Sequence, residues 1–178
     1  MAMSPTNPWL RPLLQMLCIV LVVAGLDQLT KLLVLMRLGE GEPLSVVEGF
    51  FSLTLTYNRG AAFGLLAGVE DGYRQICLAI STVCALSMVV YFLIHDYPRD
   101  PFAQGALALI VGGALGNLID RFRLGVVVDF VDVFYDSYHW PAFNLADSAI
   151  CIGVFAIILR RPKTLKLSDD ASKAERAL

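Results

Sequence analysis

Charge is what this sequence has least of. Charged side chains make up 17% of its 178 residues and apolar ones 57%, against roughly 25% and 45–50% in soluble domains. So little charge argues against an ordinary water-soluble domain and for a membrane protein. There is no basic excess either: the net charge is −2, so nothing draws the chain to nucleic acid. Histidine is nearly missing, with only His95 and His139 present. His139 stands between Tyr138 and Trp140 and reads as part of an interfacial aromatic anchor. A Ser, Cys or Thr nucleophile is therefore short of a base. No HExxH spacing offers a zinc site. The four cysteines, Cys18, Cys77, Cys84 and Cys151, lie in apolar runs without ligand spacing and read as small buried hydrophobes. No metal and no cofactor is expected. Internal repeats and low-complexity tracts are also missing.

Long apolar runs are what the sequence does have. A spanning helix needs about 20 apolar residues, and four stretches qualify, at about 13–36, 76–94, 102–119 and 140–159. The first has a rival reading as a cleavable signal peptide, because Arg11 precedes it; its pattern continues past Ala24 for about three more turns, which a signal peptide does not need. Between the first two spans, a β-rich loop at about 43–64 contains "FFSLTLTY", which alternates like a strand, with "VVEGF" as a partner. The fold expected is a mainly α membrane protein, a four-transmembrane-helix bundle with a small extracytoplasmic β-sheet between helices 1 and 2. Residues 1–162 form one integral-membrane domain, and 163–178 a polar cytoplasmic tail.

Orientation follows from Lys and Arg near the span ends. Arg160, Arg161, Lys163 and Lys166 directly follow the fourth span. They place both termini in the cytoplasm and the strand-bearing loop outside.

Ionisable residues inside spans read as functional, and here they gather towards one end of the bundle. Asp27 and Lys31 share a helix face and can pair. Asn117, Asp120 and Arg121 close the third helix, downstream of a small-residue stripe, Ala108, Gly112 and Gly116, that suits close packing. Asn144 and Asp147 open the fourth. The macrodipole offers Asp147 ~0.3–1 kcal/mol, less than the ~2.5–3.5 kcal/mol cost of placing it in hydrocarbon. It needs a wet cavity or a partner.

"GVVVDFVDVFY", residues 125–135, supplies one. It carries Asp129 and Asp132 in an apolar run. The loop is short enough to fold Asp129 over the start of the fourth helix. Two carboxylates in one apolar cleft can share a proton, which is what aspartyl proteolysis requires. By spacing alone, a proton- or cation-conducting pathway fits as well, and so does a non-catalytic assembly subunit with interhelical polar glue. If the segment is extended, Asp132 points away from Asp129 and is solvated or capping.

Five motifs stand in order: "DQLTK" (27–31), "NRGAAFG" (58–64), "GGALGNLIDR" (112–121), "GVVVDF" (125–130) and "FNLAD" (143–147). With them the chain resembles the bacterial lipoprotein signal peptidases, or signal peptidase II. The resemblance implies a multi-pass intramembrane aspartyl protease of the bacterial inner membrane with its site at the periplasmic face. Its substrates would be diacylglyceryl-modified prolipoproteins, cut on the amino side of the lipidated cysteine. Asp129 and Asp147 would be the catalytic pair. Asn58, Asn117, Arg121 and Asn144 would line the cleft, with Asp27, Lys31 and Asp120 in support. Membrane lipid and the antibiotic globomycin would be further partners. The bundle is complete in itself, so a monomer is expected. The 58–64 loop is expected to cover the site.

Overall fold

The computed structural model describes residues 10–60, 71–97 and 100–160. The tail at 163–178 and the second half of the expected covering loop lie outside them. Along the chain run α1 (Leu10–Arg37), β1 (Leu44–Val47), β2 (Phe51–Asn58), α2 (Asp71–Tyr91), a π-helical turn (Phe92–Asp96), α3 (Pro101–Leu124), β3 (Val127–Tyr135), β4 (Tyr138–His139) and α4 (Leu145–Leu159).

Among the described residues three helices, α1, α2 and α3, are long and apolar enough to cross a membrane. Within the fourth expected span, 140–159, the helix starts later than expected: it covers only 15 residues, from Leu145, or about 22 Å of rise. The reason is local. Pro141 disfavours helix at Trp140, and Phe143 pairs with Val131 of β3 instead. Asn144 then caps the helix. Its Oδ1 accepts from Asp147 N–H, and the Asp147 carboxylate accepts from Asn144 N–H, a reciprocal capping box. The third helix also outruns its expected end near Arg121. It continues to Leu124 and stops at Gly125, which takes the left-handed conformation at φ 74°.

Packing is inverted relative to a soluble protein. In α1 the buried positions are Val23, Ala24, Asp27, Lys31 and Val34, while Leu13, Leu17, Leu21, Leu29 and Met36 are exposed. The i, i+3/i+4 spacing puts the polar pair inside and the leucines outside. Exposed apolar faces this large belong against lipid. The cysteines follow the same rule, contrary to the sequence expectation: all four are exposed on helix surfaces, because an apolar run in a membrane protein packs against lipid as readily as core.

Glycine brings the helices together. A Cβ at Gly116 would lie 2.5 Å from Asp27 Oδ2, and one at Gly112 2.8 Å from Val23 Cβ. That face of α3 therefore meets α1, while Gly113 meets the Ala146 carbonyl of α4. These contacts make α1 and α3 parallel and α4 antiparallel to both. At the far end, Asp100 caps α3 and binds Arg160 Nε at 2.8 Å, while Tyr97 donates to the Arg160 carbonyl at 2.6 Å.

The sheet is antiparallel, ordered β1-β2-β3-β4. It is not confined to the connection between the first two helices; β3 and β4 come from the α3–α4 connection. β1 pairs with β2, but it shares only Val46 and Val47 with the expected partner "VVEGF"; Glu48, Gly49 and Phe50 form the turn. β2 pairs with β3 through Thr56↔Asp129 and Asn58↔Val127, with a register shift between Leu53 and Thr56. Val34, Leu55, Val128 and Phe130 form a buried cluster under the sheet, which fixes β3 against α1.

Candidate active site

The site forms where β3, the start of α4 and the second halves of α1 and α3 meet. Asp129 is 2% exposed. Its Oδ1 accepts from Asn144 Nδ2 at 2.7 Å and its Oδ2 from Asn58 Nδ2 at 2.9 Å. Asp147 Oδ1 accepts from Asn117 Nδ2 at 2.8 Å and its Oδ2 from Asn144 N–H at 3.2 Å. Asn144, itself fully buried, therefore donates to both carboxylates.

Behind the two carboxylates lies a buried ion cluster. Lys31 Nζ stands 2.8 Å from Asp27 and 2.8 Å from Asp120, and donates to Asn117 Oδ1 at 3.0 Å. Both carboxylates also bind backbone: Asp27 Oδ1 accepts from Ala146 N–H, and Asp120 Oδ2, the oxygen that meets Lys31, accepts from Val128 N–H as well, while Asp120 Oδ1 accepts from Gln28 Nε2. One carboxylate thus fixes the start of α4 and the other the start of β3. A buried ion pair is costly unless its remaining lone pairs are met, and here they are.

Burial pushes the Asp129 carboxyl up to about 6, with the charge of Asp147 acting the same way and the amides of Asn58 and Asn144 and the Lys31 cation opposing it. A carboxyl near 6 holds or releases a proton at physiological pH, as acid–base chemistry requires. Arg121 interacts electrostatically with Asp147, Asp129 and Asp120. Its Nε is buried with no hydrogen-bond partner among the described residues.

All nine residues singled out from the sequence fall in or beside this cluster. Asp132 does not. It lies on β3, three residues on, accepting from Ser52 Oγ at 3.2 Å and paired with His139 Nδ1 at 2.9 Å. His139 stacks on Phe134. Asp132 is thus a strand-pinning residue, neither simply solvated nor a cap. Sequence reasoning missed Gln28, which donates to Asp120 Oδ1 at 2.8 Å and accepts from Arg123 at 3.2 Å. Its place beside Asp27 was the available signal. Among the described residues no His, Cys, Asp or Glu group could hold a metal ion.

Residues 19–161 match the family model described as Signal peptidase (SPase) II. The chain belongs to the signal peptidase II family. It is 47% identical over 144 residues to the lipoprotein signal peptidase of Syntrophotalea carbinolica, covering 81% of this chain and 88% of that one. It is 44% identical over 155 residues to that of a Janthinobacterium species, covering 87% and 88%. A bacterial membrane enzyme solved by the in meso method at 2.3 Å superposes with a TM-score of 0.70 at 35% identity, covering 89% of this chain and 90% of the other. Every motif of the sequence resemblance falls inside the signal peptidase II match. Asp129, Asp147, Asn144, Asn117 and the Lys31 cluster all lie within it.

Proposed function

We propose that this lipoprotein signal peptidase cleaves signal peptides from prolipoproteins by aspartyl catalysis at Asp129 and Asp147. The observation that carries the reading is Asn144, which donates to both carboxylates and so holds them over one space. The reaction needs one carboxylate ionised and one protonated. The ionised member takes a proton from water as the water oxygen bonds to the scissile carbonyl carbon. The protonated member gives its proton to the carbonyl oxygen. The resulting gem-diol collapses: its nitrogen takes the first carboxyl's proton, the C–N bond breaks, and a hydroxyl proton returns to the second carboxylate. Both carboxyls end as they began.

The substrate is a diacylglyceryl-modified prolipoprotein, cut on the amino side of its lipidated cysteine. An acidic site at the short α4, beside exposed apolar helix faces, suits a peptide that arrives with its lipid in the bilayer. The sheet offers backbone for an extended substrate, and the buried, unpartnered Nε of Arg121 places a donor beside the carboxylates. Globomycin would compete for the same cleft.

Arg160, Arg161, Lys163 and Lys166 support a cytoplasmic end for α4, and with antiparallel packing this supports a dyad at the periplasmic face of the inner membrane. We propose one integral domain over 1–162 with a polar tail at 163–178, and four crossings, the short α4 included. Both aspartates come from one chain, which supports a monomer. A proton or cation path is not favoured. Among the described residues no ionisable groups connect the dyad to the Asp100–Arg160 pair at the other end.

Single Asp129→Asn and Asp147→Asn variants, assayed on a lipidated precursor, test the dyad. Retained cleavage by either one contradicts it.

A further inference from the structure

Lys31 is too deep to touch a substrate. Its side chain is 2% exposed, and its three protons meet Asp27, Asp120 and Asn117 Oδ1. An ammonium can only donate, so the Asn117 atom facing it must be the carbonyl oxygen. The amide NH2 is therefore turned the other way, onto Asp147 Oδ1 at 2.8 Å. The same logic fixes two more amides. Asp147 N–H holds Asn144 Oδ1 at 2.9 Å, and Gly60 N–H holds Asn58 Oδ1 at 2.8 Å. Both of those side chains are thereby forced to present NH2 to Asp129.

The two carboxylates are nevertheless not equivalent. Asp147 accepts from a backbone N–H that cannot turn and from an amide polarised by a buried cation. It also lies in the first turn of α4, at the positive end of the macrodipole. Asp129 sits in β3 and meets the start of α4 through the Asn144 side chain, not through a backbone N–H; its hydrogen-bond donors among the described residues are two neutral side-chain amides.

We propose that Lys31 is a positioning residue which, through the fixed amide of Asn117, holds Asp147 as the ionised base and leaves the shared proton on Asp129. Asp147 then takes the proton from the attacking water, and Asp129 gives its proton to the scissile carbonyl oxygen. This rests on the aspartyl reading above. The elevated Asp129 carboxyl agrees with it.

Two reagents of opposite preference test the assignment on the wild-type protein in detergent micelles. An epoxide esterifies an ionised carboxylate, and a diazoacetyl ester with copper(II) esterifies a protonated one. Peptide mass mapping should find the epoxide adduct on Asp147 and the diazoacetyl adduct on Asp129. The reverse pattern overturns the proposal. If instead the aspartyl reading were wrong, an Asp→Asn variant would retain cleavage; with only the assignment wrong, both variants stay inactive.

A Lys31→Met/Asp120→Asn double variant removes the cation and one of its counter-charges together. It should lose at least tenfold in kcat with KM within twofold, and its epoxide label should spread to Asp129. An unchanged kcat with the label still on Asp147 contradicts a positioning role. The wild-type labelling decides the matter if this variant does not fold.

Discussion

Asn144 donates its side-chain amide to Asp129 at 2.7 Å while its backbone N–H reaches Asp147 at 3.2 Å. The same residue caps α4. The placing of the two carboxylates and the start of the helix therefore depend on one residue. Asn144→Ala should cost about 0.5–2 kcal/mol as a lost cap and at least tenfold in kcat as a lost donor. Asn144→Asp can still cap, but it sets a third carboxylate against Asp129. It should recover thermal stability at acid pH without recovering cleavage. Melting in detergent alongside turnover separates the two effects, and full activity in Asn144→Ala would contradict the arrangement.

The elevated Asp129 carboxyl makes a prediction about stability. A carboxyl raised from 3.8 to about 6 is protonated more readily in the folded state than in the unfolded one. Below about 3.8 both states are neutral there, and nothing is lost. As pH rises to 6 the unfolded chain ionises first and folding is penalised; above 6 the full penalty, about 3 kcal/mol, remains. Asp129→Asn is neutral throughout. The melting temperature of Asp129→Asn minus that of wild type should therefore increase from pH 4 to pH 8. A flat or falling difference would contradict the burial argument.

Helix approach can be tested with two glycines of α3. A Cβ at Gly116 would press on the Asp27 carboxylate at 2.5 Å, whereas one at Gly105 meets only Ile19 Cδ1 at 3.9 Å. Gly116→Ala should destabilise by about 1–3 kcal/mol and weaken turnover by disturbing the Lys31 cluster. Gly105→Ala should be close to neutral. Equal melting temperatures for the two variants would mean that α1 and α3 are not held this close.

Asp132 provides a contrast within β3. It pins Ser52 and His139 and has no contact with the dyad. Asp132→Asn should keep turnover within about tenfold of wild type, whereas Asp129→Asn should abolish it. Equal losses would place both carboxylates in the site.

Much of this was legible in the sequence, for physical reasons. The three long helices announce themselves as apolar runs, and β2 by its alternation. Asp27, Lys31, Asn117 and Asp147 stand out because charged and amide groups at membrane depth need partners. The start of α4 was written there too, as Asn144 and Asp147 at capping-box spacing after Pro141, but the continuous hydrophobicity of 140–159 outweighed it. The membership of β3 and β4 in the sheet was less visible, since a buried valine run does not reveal its pairing partner. The Asn144 and Asn58 amides are turned by local contacts, Asp147 N–H and Gly60 N–H. The direction of the Asn117 amide depends on Lys31, far away in the chain, and no local pattern encodes it.

The proposed pair, Asp129 and Asp147, would together hydrolyse the signal peptide of a lipidated precursor. The most direct measurement incubates purified protein with a diacylglyceryl-modified prolipoprotein and identifies the products by mass spectrometry. Wild type should release the intact signal peptide, cut immediately before the lipidated cysteine, and Asp129→Asn and Asp147→Asn, folded and inserted, should release none. Cleavage by either variant at a rate near wild type would contradict the account.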